Sequence, residues 1–427
     1  MSTVTAPSPA ASAAPIVVPP LSLKAPLTFT VVALLTSLLA FVWPRQGEST
    51  FRLSDRTSSV AVPDLVIPTG TTVLVCVVVM LVIAAASWWF ALSRRRAPLW
   101  IVIVFGLVGV FAFLTWSAAG GMVPTTGLLF GAISLSVPLI FGALGGVIGE
   151  RVGVVNVAIE AQFLLAAFTS ALVATVTGSY VAGLLGAVVG GVLVAAVLAV
   201  FAIKYVVEQV IIGVVLNVLV TGLTSFLHGA IMAPNSATLN APPRFPRWAI
   251  PGLSEIPVVG PVLFNQTLIV YIAYVLVPVI TWALYRSKWG LRLRACGEHP
   301  KAADTVGIKV NPTRFWNLLL AGAIAGIGGA YFTLGAVGAF DKEMTGGLGF
   351  IALGAVIFGG WDPLRATLAA LLFGFTTNLQ NLLGNLGSPI PSEFMSMLPY
   401  IVTVLAVVGF AGRSRPPAAS GVAYVKQ

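Results

Sequence analysis

Charged side chains are scarce in this chain of 427 residues: Asp, Glu, Lys and Arg make up 8% of it, whereas 58% of its residues are hydrophobic. Soluble globular domains carry about 25% charged residues, so this composition excludes that class. The charges that are present leave a formal net charge of +10. In so apolar a chain, basic residues mark the cytoplasmic loops of a membrane protein, and we expect no nucleic-acid partner.

Cysteine and histidine are rarer still, with two of each. Cys76 lies in an apolar run and Cys296 in a basic loop, so we expect neither a disulfide nor a metal site between them. The topology given below puts His228 and His299 on opposite sides of the membrane, which excludes a shared metal site. The phosphate-binding pattern G-x-x-x-x-G-K-[ST] is absent from the sequence. We therefore expect no catalytic residue and no cofactor in this chain.

The sequence instead contains repeated apolar runs of roughly 20 residues, the length at which a helix crosses a bilayer. They predict an all-α fold, a polytopic membrane helical bundle of about 10–12 transmembrane helices. Two of the runs are suspect: 153–175 contains Asn156 and Glu160, and 346–360 is short and flanked by glycine, so either is re-entrant or broken. The candidate spans are 25–43, 71–92, 98–120, 126–148, 153–175, 180–203, 208–233, 266–285, 312–336, 346–360, 363–381 and 396–412.

The basic residues orient these spans. With the N-terminus in the cytosol, 17 of the 23 basic residues fall on the cytoplasmic side and six on the other. The positive-inside rule favours this orientation, which leaves both termini cytoplasmic. Residues 1–24 are poor in core-forming side chains and lack the pattern of a signal peptide, so they predict a disordered cytoplasmic tail. Residues 413–427 form a second cytoplasmic tail.

Two long loops fall on the outer side in this topology. Residues 44–70 are polar, and residues 234–265 contain seven prolines and Trp248. So proline-rich a loop predicts an ordered cap rather than a flexible linker. Docking of a receptor and simple coverage of the bundle are both consistent with such a surface.

The segment 285–314, YRSKWGLRLRACGEHPKAADTVGIKVNPTR, is basic and lies between two apolar spans. Pro300 suits the first position of a helix, the two alanines that follow favour its interior, and Gly307 can end it. We predict a helix of roughly two turns whose small residues face a docking partner. An ordinary basic loop held by lipid head groups is the alternative. The residues that would carry docking are Glu298, His299, Pro300, Lys301, Ala302, Ala303, Asp304 and Gly307.

Polar side chains inside the spans are the candidates for a solute pathway, because polar groups in a bilayer are costly. They are Asn156, Glu160, Asn217, Thr221, Thr224 and His228. The last four are spaced by four, three and four residues and share one helix face. In the alternative interpretation the Thr and Asn side chains satisfy backbone groups, and Glu160 is a structural hydrogen-bond hub. No deep charged pair is apparent, which favours a neutral polar solute.

Three strings carry a resemblance to a known family. KAADTVG (301–307) keeps the A-A-x-x-x-G spacing of the coupling helix in permeases of ATP-binding-cassette importers, and the longer GEHPKAADTVGI resembles the nucleoside and simple-sugar permeases, relatives of the ribose and branched-chain amino-acid permeases. GGVIGERVGVVNVAIEAQFLLAA (145–167) resembles the signature "ERxGVxNIGxEG" of that subfamily. GLGFIALGAVIFGGWDPLRATLAALLFG (347–374) resembles its segment near the C-terminus. The resemblance spans roughly 124–412.

The chain departs from the family pattern at a few positions. Lys301 stands where many of these families have Glu. Ala158 and Ala161 replace two glycines of the signature, and Val157 replaces Ile. Gly360 stands where a basic residue is common. None of these changes removes a group that the implied chemistry needs.

The resemblance implies a permease core at 121–412 with a cytoplasmic coupling segment at 286–311. It does not cover residues 1–120, where the apolar runs predict an N-terminal extension at 25–120 with three transmembrane helices. It implies a translocation subunit of the inner or plasma membrane that is not itself an enzyme, because ATP would be hydrolysed by a separate ATP-binding-cassette ATPase subunit. The other implied partners are a second permease subunit, an extracytoplasmic substrate-binding lipoprotein, membrane lipid and a neutral small-molecule substrate. Nucleosides are the favoured substrate; a simple-sugar importer and an ion-coupled secondary transporter are the alternatives.

Overall fold

The computed structural model describes residues 23–54, 61–95, 97–385, 393–395, 397, 400–401 and 415–426. Helices dominate these residues, as their apolar runs predict. The α-helices are α1 (Lys24–Val42), α2 (Thr69–Leu92), α3 (Leu99–Ser117), α4 (Thr125–Arg151), α5 (Ile159–Thr177), α6 (Tyr180–Ala199), α7 (Gln209–Leu227), α8 (Ser236–Leu239), α9 (Val259–Leu263), α10 (Leu268–Arg286), α11 (Lys288–Glu298), α12 (Pro300–Thr305), α13 (Val310–Ala330), α14 (Leu348–Phe358) and α15 (Pro363–Asn385). The strands are β1 (Glu48–Arg52), β2 (Leu65–Pro68), β3 (Met122–Pro124), β4 (Arg247–Ala249) and β5 (Asn265–Thr267).

Three of the helices continue into π-helical segments: α6 into Val200–Lys204, α7 into His228–Met232 and α13 into Tyr331–Val337. Within the ranges described above, nine helices are long and apolar enough to cross a membrane, namely α1 to α7, α10 and α13. The predicted polytopic all-α membrane bundle is therefore confirmed.

The remaining predicted spans have different outcomes. The run 346–360 forms α14, whose 11 residues extend about 16 Å, half of a hydrocarbon core of about 30 Å. The run 363–381 forms α15, which is long enough to span but is not among the nine sufficiently apolar helices. The predicted run 98–120 is too long at its C-terminal end, because α3 ends at Ser117 and β3 follows. The run 396–412 lies outside the described residues.

The described residues of Met1–Arg45 and Gly70–Trp116 form one compact unit that contains α1, most of α2 and α3. This unit has a small core of its own, in which the rings of Phe29 and Phe105 stack with their centroids 4.3 Å apart. Met80 is fully buried in the same core. The indole N–H of Trp88 donates to the hydroxyl oxygen of Thr30 over 2.9 Å.

Gln46–Thr69 and the described residues from Ser117 onward form the second unit. Its first element is a three-stranded sheet in the order β2-β1-β3, in which β1 is antiparallel to β2 and parallel to β3. The segment 46–69 thus belongs to the second unit, although helices of the first unit precede and follow it in the chain.

The helices of the second unit pack closely where glycine replaces a larger side chain. A Cβ atom on Gly326 of α13 would lie 2.5 Å from the carbonyl oxygen of Ala187 in α6. A Cβ atom on Gly145 of α4 would lie 2.7 Å from the carbonyl oxygen of Ala321 in α13. Real Cβ atoms do not approach backbone oxygens so closely, so α4, α6 and α13 depend on these glycines for their separation.

The proline-rich loop 234–265 is ordered, as predicted. It contains α8 and α9, and its strand β4 pairs with β5 in an antiparallel ribbon. The hydroxyl group of Tyr271 in α10 donates to the carbonyl oxygen of Trp248 in β4 over 2.7 Å. The loop therefore has a defined backbone that is tied to the following helix.

Candidate functional site

The helical structure is interrupted between α4 and α5, near Asn156 and Glu160. Residues 152–158 are not helical, and Gly153 takes a φ of +96°, a left-handed conformation that glycine adopts without strain. This break segment (residues 152–158) takes up the first six residues of the predicted span 153–175, but α5 itself is continuous over Ile159–Thr177 and is one of the nine candidate spans, so the prediction of a broken or re-entrant span is wrong. Its peptide groups cannot form the usual helical hydrogen bonds and need partners elsewhere.

One face of α7 supplies those partners. The side-chain oxygen of Gln209 accepts from the N–H of Val155 over 2.7 Å. The amide of Asn217 donates to the carbonyl oxygen of Val157 over 3.0 Å and accepts from the N–H of Ala161 over 2.9 Å. Gly213, midway between the two amides on the same face, lets α7 approach, since a Cβ atom there would lie 2.8 Å from the Cβ atom of Val157. The face holds the break segment through both of its amide side chains.

A second amide pair lies inside the break. Asn156 and Gln162 are both fully buried and donate to each other's side-chain oxygens over 3.1 and 3.2 Å. Each amide thus donates one hydrogen bond to the other and accepts one from it. Such a reciprocal pair fixes the start of α5 against the break segment.

Glu160, in the first turn of α5, caps the N-terminus of α14. One carboxylate oxygen accepts from the hydroxyl of Thr345 over 2.6 Å and from the N–H of Gly347 over 2.9 Å. The other oxygen accepts from the N–H of Gly349 over 2.6 Å. The first N–H groups of a helix have no partner within it and carry partial positive charge, so a carboxylate there is stabilised. The side chain of Glu160 is the hydrogen-bond hub that the alternative interpretation expected.

The other end of α14 is held by the last turn of α4. The indole N–H of Trp361 donates to the carboxylate of Glu150, and Nε of Arg151 donates to the carbonyl oxygen of Trp361 over 2.9 Å. The strings 145–167 and 347–374 therefore contact each other at both ends of α14. Sequence reasoning did not identify Glu150, although its string was singled out.

The remaining predicted pathway residues continue along α7. Thr224 is fully buried, and its hydroxyl donates to the carbonyl oxygen of Val220 over 2.7 Å. Thr221 is half-buried. Nε2 of His228 lies 4.0 Å from the carboxylate of exposed Asp341, and the His228 ring packs against that of Phe340 with centroids 5.6 Å apart. The structure brings Asn156, Glu160 and Asn217 together around the break. It places Thr221 and Thr224 further along α7 and His228 at the start of the π-helical segment that follows.

The short helix predicted to begin at Pro300 is present as α12, which has six residues. Pro300 is its first residue, as predicted, and Gly307 follows it with a φ of +86°. The N–H of Gly307 donates to the carbonyl oxygen of Asp304, and the N–H of Ile308 donates to that of Ala303, each over 3.0 Å. This bond pair is the Schellman motif, which explains why the helix ends there.

The small residues of α12 do not all face outward. Lys301 and Ala302 are exposed, but Ala303 is 3% exposed and belongs to the main hydrophobic core. Of the two alanines, only Ala302 is accessible to a partner. Glu298 and His299 immediately precede α12 and are exposed.

A helix that the sequence interpretation missed, α11, precedes α12. The hydroxyl oxygen of Ser287 caps it by accepting from the N–H of Gly290 over 3.1 Å. Its Gly297 passes the carbonyl group of Arg151 too closely for any side chain. The Ser-x-x-Gly start was a usable signal, because serine is a favoured N-cap residue.

Arg314, in the first turns of α13, was also missed as a buried residue. It is 1% exposed and donates from Nη1 to the carbonyl oxygen of Val422 over 2.7 Å and from Nη2 to that of Cys296 over 3.3 Å. Its position inside the predicted span 312–336 was the available signal. We call α11, α12 and the described tail residues 415–426 the basic end, because most of their charged residues are Lys or Arg.

Within the part of the chain that the structure describes, no group of three or more His, Cys, Asp or Glu side chains could hold a metal ion. The site is instead a hydrogen-bonded break between helices together with an exposed basic end. Spanning helices of this number and hydropathy define a multi-pass membrane protein.

Comparison with known proteins assigns the family. Residues 128–407 match the family described as the permease component of the branched-chain amino acid transport system. The guanosine ABC transporter permease protein NupQ of Bacillus subtilis (strain 168) is 38% identical over 299 residues, which is 68% of this chain and 93% of NupQ. The nucleoside ABC transporter permease protein NupC of Lactococcus lactis subsp. cremoris (strain MG1363) is 36% identical over 300 residues, 68% of this chain and 94% of NupC.

A third relative is TsgC13 of Haloferax volcanii, provisionally named a glucose ABC transporter permease protein. It is 34% identical over 310 residues, 67% of this chain and 91% of TsgC13. No solved structure was found to match the chain. The chain belongs to the permease family that its residues 128–407 match.

Proposed function

We propose that this chain is the translocation subunit of an ATP-driven importer and that its substrate is a nucleoside. The observation that carries the proposal is the similarity to a guanosine and a nucleoside permease over more than nine-tenths of each. The exposed turn of α12, on a chain without a phosphate-binding loop, supports docking of a separate ATPase.

The hydrogen bonding of the buried charged side chains supports a neutral solute. In the described ranges the buried charged side chains are Glu150, Glu160 and Arg314, and each is hydrogen-bonded by protein groups. A charged solute inside the bundle would need an opposite charge that is free to compensate it. A nucleoside needs only hydrogen-bond donors and acceptors.

Under this proposal the six predicted pathway residues have two different roles. Asn156, Glu160 and Asn217 position the break and the N-terminus of α14, because their polar atoms are already engaged. Thr221 and His228 remain the candidates for contact with the solute, with Thr224 between them. ATP-driven movement of α10, which precedes α11 in the chain, and of α13, which follows α12, would then open the bundle to either side in turn.

The partners and the orientation belong to the same proposal. An ATP-binding-cassette ATPase would dock on Glu298–Gly307 from the cytosol, where both termini would also lie. A second permease subunit would complete the pathway, and an extracytoplasmic lipoprotein would deliver the substrate. The clustering of Arg151, α11, α12 and the described tail at one end of the second unit supports placing these basic segments on one side of the membrane.

The docking assignment is tested by Ala302→Arg, which adds a bulky charge to the exposed side of α12. We expect the purified complex to lose its ATPase subunit and uptake to cease, whereas Ala241→Arg, at another exposed alanine in the ordered loop, should change neither. Normal uptake and normal stimulation of ATP hydrolysis in Ala302→Arg would overturn the docking assignment.

The substrate is tested by uptake of labelled uridine in the native host, with and without this gene, under competition by unlabelled nucleosides, ribose, galactose and glucose. We expect ATP-dependent uptake that nucleosides inhibit and free sugars do not. The similarity to TsgC13 favours a simple sugar as the second candidate. Unchanged uridine uptake together with a sugar defect would replace the nucleoside by that sugar. Uptake that a protonophore abolishes while ATP is maintained would favour an ion-coupled carrier.

A further inference from the structure

The described tail, Arg415–Lys426, packs against α11 and α12 without forming a helix. Pro417 and Ala419 are buried, and Tyr424 packs against the main hydrophobic core. The N–H of Ala419 donates to the carbonyl oxygen of Gly297 over 2.8 Å. We call residues 415–426 the strap.

The strap holds α12 on both sides. Before α12, the N–H of Ala418 donates to the carboxylate of Glu298 over 3.2 Å. Within α12, a carboxylate oxygen of Asp304 lies 3.7 Å from Nζ of Lys426. Exposed ion pairs contribute little individually, so the set of contacts matters more than any one of them.

The strap also completes the surroundings of Arg314. Of the carbonyl oxygens that accept from this buried guanidinium, those of Val422 and Ala419 belong to the strap, at 2.7 and 3.5 Å, and that of Cys296 belongs to α11. A buried charge that loses its acceptors is strongly destabilising. Arg314 in α13 therefore links the strap to α11 and to a membrane-spanning helix.

Without such contacts α12 would have little to fix its position. Six residues are too few to form a stable isolated helix, and within α12 only Ala303 is buried. The strap makes polar contacts with Glu298, which comes immediately before α12, and with Asp304 within it. Its own anchor is the core around Tyr424 and Arg314.

We propose that the strap fixes α12 to the transmembrane core, so that movement imposed on α12 by a docked ATPase is transmitted to α13. The proposal rests on the proposed function and adds a positioning element that is distinct from the docking face. In this arrangement the strap is required for coupling and not for assembly of the complex.

The test uses the complete importer reconstituted in vesicles and measures two quantities: substrate molecules moved per ATP hydrolysed, and the amount of ATPase subunit that co-purifies. A chain that ends at Ser420 loses the Val422 carbonyl, Tyr424 and Lys426. We expect this variant to retain its ATPase while substrate moved per ATP falls at least about fivefold, the lower end of typical coupling between sites. Val425→Ala, at an exposed position of the same strap, should match the wild type.

Ala418→Pro removes the N–H group that donates to the carboxylate of Glu298 and keeps the test valid if the shortened chain does not fold. We expect the ratio to fall in this variant with unchanged assembly. An unchanged ratio in Ala418→Pro, or loss of the ATPase from the shortened chain, would overturn the proposal; the second result would make the strap a docking face. Failure of the proposed function is recognised separately, because wild-type vesicles would then show no ATP-dependent uptake.

Discussion

Replacing Glu160 by Gln tests whether the carboxylate holds α14 in place. The substitution keeps the size of the side chain but removes its charge and turns one acceptor oxygen into a donor. Glu160 is 9% exposed and accepts three hydrogen bonds, two on one oxygen and one on the other. Whichever way the amide points, at least one buried N–H or O–H group loses its acceptor.

The expected cost follows from those bonds. A hydrogen bond to a charged acceptor contributes about 1.5–3 kcal/mol, and an unsatisfied buried donor costs about 1–3 kcal/mol. Loss of the charge at the helix N-terminus adds about 0.3–1 kcal/mol. We therefore expect Glu160→Gln to lower the free energy of unfolding by about 2–4 kcal/mol.

The assay is unfolding of the purified permease by a titration with SDS, followed by circular dichroism. Glu255→Gln is the matched control, because Glu255 is exposed in the ordered loop and its replacement should change stability by less than about 0.5 kcal/mol. A Glu160→Gln protein that is as stable as this control would refute the capping role. Glu160→Asp, which keeps the charge on a shorter side chain, should fall between the two.

Three other buried positions give predictions for measurement on the purified permease. Asn217→Leu removes both amide bonds to the break segment and should cost about 1–3 kcal/mol; an unchanged stability would contradict that role. Gly326→Val should cost at least about 1–3 kcal/mol, because its Cβ position is 2.5 Å from a carbonyl oxygen of α6. Gly354→Ala is its control: the space around this Cβ position is open, so the change should be neutral or stabilising. A Gly354→Ala protein that is less stable than Gly326→Val would contradict the packing. Cys296 is fully buried and burial raises the pKa of its thiol, so in a Cys76→Ala protein maleimide should label it only after unfolding; rapid labelling of the folded protein would contradict its burial.

The parts of the structure that the sequence predicts are those with a strong local pattern. Apolar runs predicted the spanning helices, because a helix of about 20 apolar residues matches the thickness of a bilayer. Asn156 and Glu160 marked a distinct segment because polar groups in a bilayer are rare, but the span they were expected to break is a continuous helix that starts at Ile159. Pro300 and Gly307 predicted the start and end of α12, because each suits its backbone position.

The features that escaped prediction depend on contacts between distant parts of the chain. The cap of α14 joins Glu160 to Gly349, which are 189 residues apart, and periodicity carries no information on such a pair. Burial of Arg314 depends on backbone carbonyl oxygens of the strap. Every residue type has such a carbonyl, so the sequence of the strap gives no sign of this contact. The strands β1 and β2 have five and four residues, too short to be recognised without their partners.

The small sheet of the second unit has a consequence for any shortened form of the protein. β3 pairs with β1, and β1 pairs with β2, so two of the three strands come from before residue 70. A protein that begins at residue 121 would keep β3 and lose both of these strands. Its remaining strand would present unpaired backbone groups to solvent, a template on which copies can associate. The segment 46–69 is therefore part of the smallest version of the second unit that we expect to remain monodisperse in detergent.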